Sequence, residues 1–114
     1  MKENDLLERT FSFGVRCLKL LRTLPNSSEY QIIKYQLGKS ATSVGANYEE
    51  AQAGSSKADF KNKIRIALKE ARESNYWLRV LKALEDTSNE ELDFLVNESK
   101  ELKNILASIL KKLN

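Results

Sequence analysis

The residues best suited to chemistry in this sequence form a row of cations along its third helical segment. A lysine, arginine or tyrosine recurs there every three or four residues, a spacing that places all of them on one sector of a helix. Glu70 and Glu73 fall on the other side. Cations meet phosphates and an aromatic ring stacks on a base, so the row predicts contact with a nucleic-acid backbone. Its members are Lys61, Arg65, Lys69, Arg72, Tyr76 and Arg79.

The first helical segment repeats this arrangement with Arg9, Arg16 and Lys19 on one side. We add these three to the predicted nucleic-acid-binding residues. The alternative is a solvated face whose long side chains cover apolar surface. With 19 basic and 16 acidic residues in the chain, composition leaves both interpretations open.

Catalytic chemistry finds little support in the sequence. The chain has no histidine, which removes the commonest general base and metal ligand. A metal-dependent enzyme built on Glu49, Glu50, Glu70 and Glu73 is a third alternative. Glutamates on helices more often serve as caps and surface pairs. The sequence therefore predicts a protein that is not an enzyme, with no catalytic residue, metal, cofactor or small-molecule substrate.

Composition indicates a single all-helical domain over residues 1–114. Hydrophobic residues make up 41% and charged residues 31%, while one proline and four glycines leave little for turns. The net charge is +3 with a pI near 9.0. A single cysteine, Cys17, fits a reducing cytoplasm, and no apolar run suits a membrane. We expect a cytoplasmic protein without membrane contact.

Caps and periodicity predict four helices, at about 4–24, 28–54, 56–86 and 88–113. Helix one ends before Pro25. We expect Ser28 to cap helix two in a capping box with Gln31, Ser55 or Ser56 to precede helix three, and Thr87 or Ser88 to cap helix four. Gly54 is expected to end helix two. The apolar spacing on helix one is Leu7, Phe11, Gly14, Leu18 and Leu21. Short connections then favour an up-down-up-down four-helix bundle.

Helix two carries two stripes. One is apolar, and it comprises Tyr30, Ile33, Leu37, Ala41, Val44, Tyr48 and Ala51. The other alternates spacings of four and three residues, and it comprises Gln36, Ser40, Ser43, Asn47 and Glu50. Small polar side chains let another backbone approach and then hydrogen-bond across the contact, so we call the second stripe the polar seam and predict a structural role for it. The alternative is a solvated face.

Helix three also has an extra apolar stripe beside its main one. The main stripe is Phe60, Ile64, Ala67, Ala71, Ser74, Leu78 and Leu81. The extra one, Ile66, Trp77, Val80 and Leu84, predicts a subunit interface or a wide intramolecular contact. Trp77 is either an interface anchor or a core tryptophan.

The stretch "QLGKSATSVGANYEEAQAGSSKADFKNKIRIALKEARESNYWL" resembles the signature of the 23S ribosomal RNA intervening-sequence proteins, the S23-type family. The similarity lies in Ser43-x-x-x-Asn47-x-x-Glu50, in "KADF" at Lys57–Phe60, and in Ala67 with Glu73. It implies a left-handed up-down-up-down bundle that assembles into a ring-like homo-oligomer, with a pentamer as the expected state, and no enzymatic activity. The fold is also similar to that of the accessory variability protein of diversity-generating retroelements, which binds nucleic acid and a reverse transcriptase.

The favoured function is therefore an oligomeric helical module that contacts RNA, DNA or a ribonucleoprotein partner through its basic face. The alternative is a protein–protein adaptor or assembly subunit with no nucleic-acid role.

Overall fold

The computed structural model describes residues 3–54, 56–85 and 87–114, with the backbone alone for residues 3 and 4. Within these ranges the chain forms four α-helices: α1 (Glu3–Leu21), α2 (Ser28–Gln52), α3 (Lys57–Leu84) and α4 (Glu90–Lys112). Ser55 and Asp86, which the sequence placed at the ends of α3, lie outside the described residues.

Neighbouring helices run antiparallel, and α4 returns beside α1. In each contact the residue number rises along one helix while it falls along the other. Two contacts show this for each pair of helices. Between α1 and α2 they are Thr10 with Gly45 and Gly14 with Thr42, and between α2 and α3 they are Ser40 with Ser74 and Glu50 with Lys63. Between α3 and α4 they are Asn75 with Ser99 and Lys82 with Asp93, and between α1 and α4 they are Arg9 with Glu98 and Arg16 with Glu91. The bundle measures 45 × 24 × 21 Å. The predicted all-α four-helix bundle is confirmed.

The core stripe of α3 follows the prediction, with Phe60 half-buried at its start and the rest buried. The apolar residues of α1 are arranged differently. Phe11 and Leu18, expected in the same stripe, are 68% and 43% exposed. The residues that α1 and the turn after it bury are Leu6, Thr10, Phe13, Gly14, Cys17, Leu20, Leu21 and Leu24. Both rows have 3–4 spacing, so spacing by itself does not select the row that faces the other helices.

Helix α2 begins at Ser28 as predicted, and the other helix ends depart from the prediction by one to three residues. Pro25 affects the residue four positions before it, because proline has no N–H to donate to the Leu21 carbonyl and its ring would clash with that carbonyl in a helix. α1 therefore ends at Leu21, and the chain continues in tighter turns in which Thr23 and Leu24 donate backbone hydrogen bonds three residues back. The hydroxyl of Thr23 also donates to the Leu20 carbonyl at 2.7 Å.

The predicted capping box on α2 is wrong. Ser27 is the N-cap residue and its side chain makes no capping hydrogen bond, while the Gln31 amide turns toward Asn26. Gly54 does not end α2 either: the helix ends at Gln52, and no described residue has a positive φ.

The other two N-termini are capped through side chains. The Ser56 hydroxyl accepts from the Asp59 amide at 3.1 Å, as one of the two predicted serines should. Helix α4 uses neither Thr87 nor Ser88. The N-cap residue is Asn89, whose side-chain oxygen accepts from the Leu92 amide at 3.0 Å, because α4 begins later than expected, at Glu90. An asparagine side chain can accept from the first backbone amides of a helix as serine and threonine do.

The small residues of α2 allow two neighbouring helices, α1 and α3, to pack close to it. Toward α1, a Cβ atom on Gly45 would lie 3.1 Å from the backbone carbonyl of Thr10, and one on Gly14 would lie 3.4 Å from the Ala41 oxygen. Toward α3, Ser40 and Ser74 meet side chain to side chain. This explains why α2 carries small residues in its middle: it is packed closely between two helices. Among the described helices, none is long and apolar enough to span a membrane.

Candidate nucleic-acid interface

The predicted basic row of α3 lies on one solvent-facing side of the helix, away from the buried stripe. Arg65, Lys69, Arg72 and Arg79 are exposed and Lys61 is half-buried. From Lys61 to Arg79 the row extends about 27 Å at the rise of an α-helix. We call these five cations, together with Tyr76, the α3 basic row. Their spacing is close to one cation per helical turn, which suits an extended chain of phosphates.

Among the described residues, no cation of this row forms an ion pair with a carboxylate, although the charge of Lys69 acts on the neighbouring Glu70. Across residues 3–54, 56–85 and 87–114, the ion pairs involve other cations: Arg9, Arg16, Lys63 and Lys82. Within the row itself, the Nε of Arg79 donates to the side-chain oxygen of Asn75, a neutral acceptor, at 2.9 Å. The positive charge of the row therefore faces solvent, where it can attract phosphate.

Tyr76 is held in place among these cations. Its ring is 50% exposed, the Arg79 guanidinium lies 5.9 Å from the ring centre, and the ring of Trp77 meets it edge-on at 5.1 Å. An aromatic ring that is fixed on one side and open on the other loses little freedom when a base stacks on it.

The pairing of α3 with α4 adds two cations that the sequence interpretation missed. Asp93, Val96, Lys100 and Lys103 follow one another at spacings of three or four residues along α4. The first two contact α3 directly: Asp93 pairs with Lys82 at 3.0 Å, and the Val96 carbonyl accepts from Asn75. Lys100 and Lys103 continue this row and extend the basic face across two helices. The 3–4 spacing of the row was visible in the sequence, but which side of α4 faces α3 was not.

The cations of α1 have a different environment. Arg9 makes a two-pronged contact with Glu98, at 3.0 and 2.6 Å, and a further bond to Glu101 at 3.2 Å. Arg16 does the same with Glu91, at 2.8 and 2.6 Å. The hydrogen bonds that both arginines donate to the carboxylates raise the pKa of the arginines, and the bond from Arg16 lowers the pKa of Glu91.

The structure does not bring the α1 cations together with the α3 basic row. In the described chain α1 and α3 lie diagonally across the bundle, with α4 between them on this side. The Arg16 guanidinium also lies 3.8 Å from the centre of the Phe94 ring, and Lys19 is exposed further along α1. Nucleic-acid binding by Arg9, Arg16 and Lys19 stays a prediction, and the two arginines would first have to leave their carboxylates.

Comparison with known proteins places this fold in a family. The model of the 23S rRNA-intervening sequence proteins matches residues 2–108. The chain belongs to this family. A solved structure is also similar over almost its whole length: a protein of unknown function from the S23 ribosomal protein family of Bacteroides thetaiotaomicron. It is 40% identical, with a TM-score of 0.85, and the match covers 97% of this chain and 99% of the other. None of the curated proteins gives a significant match.

In this family member the polar seam is only partly a contact between helices. Ser40 is buried, and its Oγ lies 3.0 Å from that of Ser74; the Leu37 and Glu70 carbonyls supply further acceptors. Glu50 is exposed and pairs with Lys63 of α3 at 3.1 Å.

The rest of the polar seam bonds within α2 or faces outward. The Ser43 hydroxyl donates to the Lys39 carbonyl and the Asn47 amide donates to the Ser43 carbonyl, at 2.7 and 2.8 Å. Both side chains are half-buried, as is Gln36. The prediction of hydrogen bonds from α2 to another helix therefore does not describe Ser43 and Asn47 within one copy.

The extra apolar stripe of α3 is half-covered. Ile66, Trp77 and Val80 are half-buried, and Leu84 is 40% exposed. Trp77 packs against the core and its ring nitrogen donates to Glu73 at 3.3 Å. An interface role for these residues stays a prediction.

The acidic residues of α2 and α3 do not gather into a metal site. Among the described residues, no group of three or more carboxylates or cysteines could hold an ion. Glu70 has an unusual environment for another reason: partial burial raises its pKa, and the charge of Glu73 raises it further.

Proposed function

We propose that this member of the 23S rRNA-intervening sequence family is a homo-oligomeric helical module that binds nucleic-acid backbone and carries out no catalysis. The binding surface is the α3 basic row extended by Lys100 and Lys103. The observation that supports the proposal is a contrast between two sets of cations: within the described residues the α3 basic row forms no ion pair with a carboxylate, while Arg9 and Arg16 do.

Charge left unpaired along about 27 Å of helix suits a ligand that carries a regular array of negative charge. The surface presents guanidinium and ammonium groups with a single aromatic ring, and no constellation built to read base edges. We therefore expect binding with little sequence preference. The ring-shaped assembly implied by the family resemblance would repeat this face and raise a weak affinity by avidity. A cytoplasmic location, which the lone cysteine favours, belongs to the same proposal.

The test is a fluorescence anisotropy titration with labelled single- and double-stranded RNA and DNA at several salt concentrations. Replacing Arg65, Lys69 and Arg72 together with Gln removes three charges and keeps good helix formers. Binding should weaken for all sequences alike. If all three contact phosphates, the log–log salt slope should fall in magnitude by about 2 to 3.

The matched control replaces Lys34, Lys39 and Lys63 with Gln. It removes the same charge from the α2 side of the molecule, and the Lys63–Glu50 pair is exposed enough that its loss should cost little. The control should bind like the parent. Equal weakening by both triple variants would mean that net charge alone drives binding. A flat signal at low salt would overturn the proposal.

The competing function is a protein–protein adaptor without nucleic-acid binding. The exposed apolar residues Ile32 and Tyr35 of α2, 58% and 65% accessible, favour it. Under this alternative, no saturable nucleic-acid binding is expected at any salt concentration, and the Arg65, Lys69 and Arg72 variant should behave as the parent does.

A further inference from the structure

A chain of side-chain hydrogen bonds leads from the core of the bundle to the C-terminal end of the α3 basic row. Ser99 of α4 is fully buried, and its hydroxyl donates to the Val96 carbonyl at 2.9 Å. The Asn75 amide nitrogen donates to both groups, at 3.0 Å to the Ser99 hydroxyl and 3.2 Å to the Val96 carbonyl. Its side-chain oxygen accepts from the Nε of Arg79 at 2.9 Å. Asn75 therefore holds the Arg79 guanidinium in one place on the surface.

The two terminal nitrogens of Arg79 stay available for a ligand. Within the described residues they form no ion pair and no hydrogen bond, since the bond to Asn75 uses Nε alone. The side chain is exposed. A guanidinium that is fixed at one nitrogen and open at the others can bind phosphate oxygens with little further loss of freedom.

The ring of Tyr76 lies beside this guanidinium. It is 50% exposed, and its centre lies 5.9 Å from the central carbon of the Arg79 guanidinium. Trp77, which packs against the core and donates to Glu73, meets the ring edge-on at 5.1 Å. Ring and guanidinium are thus held side by side. A single nucleotide can reach both, with its base on the ring and its phosphate on the cation.

Two other exposed rings have different surroundings. The Phe94 ring is already covered by the Arg16 guanidinium, at 3.8 Å. Tyr35 resembles Tyr76 more closely, because it is 65% exposed and the Lys39 ammonium lies 5.9 Å from its centre. It lies on α2, outside the α3 basic row. Tyr35 therefore provides a matched control for the role of Tyr76.

Charge alone would favour a duplex as the ligand of this row. Double-stranded DNA carries about one negative charge per 1.7 Å of its axis, and each phosphate contact releases more counterion from a duplex than from a single strand. The bases of a duplex are stacked on one another, so their faces are not open to Tyr76. A single strand can turn one base onto the ring, and such stacking tolerates any base.

We propose that the α3 basic row selects single-stranded nucleic acid over duplexes, with Tyr76 as the platform for one unpaired base, Arg79 on the neighbouring phosphate, and Asn75 as the positioning residue for Arg79. The inference rests on the proposed function and names the substrate class of that same surface. The remaining cations of the row bind further phosphates of the same strand. They supply affinity for any nucleic acid, and the ring supplies the selectivity.

The test compares a labelled oligothymidine, the same strand in a duplex, and an abasic strand of equal length that keeps the phosphates. Fluorescence anisotropy should show the parent binding the oligothymidine more tightly than the other two. Tyr76→Ala should weaken oligothymidine binding about 5- to 150-fold, while the affinities for the abasic strand and the duplex change less than about twofold. The salt slope should stay the same, because no charge is removed.

Two further variants control for the loss of an exposed aromatic side chain. Tyr76→Phe keeps the ring and should bind oligothymidine as the parent does. Tyr35→Ala removes a similarly exposed tyrosine that also lies beside a cation, and it should leave the affinity unchanged. All of these substitutions are at exposed positions, so the fold should survive them.

A cycle of variants tests the positioning role of Asn75. Arg79→Gln should lower the magnitude of the log–log salt slope for oligothymidine by about 0.7, the value for one phosphate of a single strand. Asn75→Ala should weaken binding in the parent and have no further effect when Arg79 is already replaced. Equal losses in both backgrounds would contradict the positioning role.

Trp77 gives a readout that needs no label. It is the single tryptophan of the chain, and its ring centre lies 5.1 Å from that of Tyr76. A base stacked on Tyr76 should quench its fluorescence, whereas the abasic strand should bind without quenching it. Equal quenching by both strands would contradict the stacking.

The outcomes separate this inference from the proposed function. A parent that binds neither form at low salt overturns both. A parent that binds both, but holds the duplex as tightly as the oligothymidine, overturns the single-strand assignment alone. So does a Tyr76→Ala variant that binds oligothymidine as the parent does, or that loses as much affinity for the abasic strand.

Discussion

The side-chain oxygens of Ser40 and Ser74 lie 3.0 Å apart in the buried contact between α2 and α3. Neither hydroxyl depends on the other alone, because Ser40 also reaches the Leu37 carbonyl and Ser74 the Glu70 carbonyl. The pair therefore matters more through its small volume than through its hydrogen bond.

This relationship predicts a size-dependent response at Ser40. Ser40→Ala should lower the free energy of unfolding by less than about 1 kcal/mol, since the Ser74 hydroxyl keeps an acceptor. Ser40→Leu should cost about 1–3 kcal/mol, because the added atoms must separate α2 from α3. Urea denaturation measures both. The same leucine placed at Ser43, which is half-buried, should be nearly neutral; an equal cost there would contradict the close-packing explanation.

A second pair of substitutions tests the contact between α1 and α2. Gly45→Ala should destabilise the protein by about 1 kcal/mol or more, because the new Cβ would lie 3.1 Å from the Thr10 backbone, which cannot move alone. Gly38→Ala should instead stabilise it by up to about 1 kcal/mol through helix propensity. There the nearest atoms are the ends of the Leu18 and Leu21 side chains, at 3.5 and 3.6 Å. Thermal melts that rank the two alanines in the opposite order would be incompatible with this geometry.

The two arginines of α1 should contribute unequally to stability. Glu98 is 9% exposed, so Arg9→Met leaves a nearly buried carboxylate without its main partner and should cost about 1–3 kcal/mol. Arg16→Met should cost at most about 1 kcal/mol, because both members of that pair are more than a third exposed. Adding Glu98→Leu to Arg9→Met should recover most of the loss, since an apolar pair can replace a buried ion pair. The denaturant midpoints of the three variants measure these differences in stability.

We expect Glu70 to make the free energy of unfolding depend on pH. Its pKa is raised in the folded protein, first by burial and then by Glu73, so the folded state binds the proton more tightly than the unfolded chain. This group therefore lowers the free energy of unfolding as the pH rises from about 4.5 through the higher folded value. Glu70→Gln should be more stable than the parent near neutral pH, and the advantage should disappear below the unfolded pKa. If the free energies of unfolding of the variant and the parent differ by the same amount near neutral pH and below the unfolded pKa, the burial argument is contradicted.

The sequence predicted the fold because each helix carries a strong local signal. Pro25, the serines before α3 and the 3–4 stripes of α2 and α3 are local features, and the structure follows them closely. Helix ends were predicted less well, because Ser27, Ser28, Thr87, Ser88 and Asn89 are all good caps and local sequence does not choose among them.

The basic face could be predicted only in part. The α3 row depends on one helix and was visible from its spacing. Whether a cation is paired depends on the opposite helix, so the sequence could not separate Arg9 and Arg16, which meet Glu98 and Glu91, from the cations of the α3 basic row, which form no ion pair within the described residues. Lys100 and Lys103 were missed for the same reason: their side of α4 is defined by the contact of Asn75 with Val96.

The arrangement of these contacts along the chain also predicts an order of folding. Ser40 and Ser74 are 34 residues apart, whereas Arg9 and Glu98 are separated by 89. Closing the longer loop costs more chain entropy, so the α2–α3 hairpin should form before α1 meets α4. Arg9→Met should then mainly accelerate unfolding, and Ser40→Leu should mainly slow refolding. The ion pairs between the two terminal helices would thus act as the last contact to form and the first to break, and would set the lifetime of the folded state.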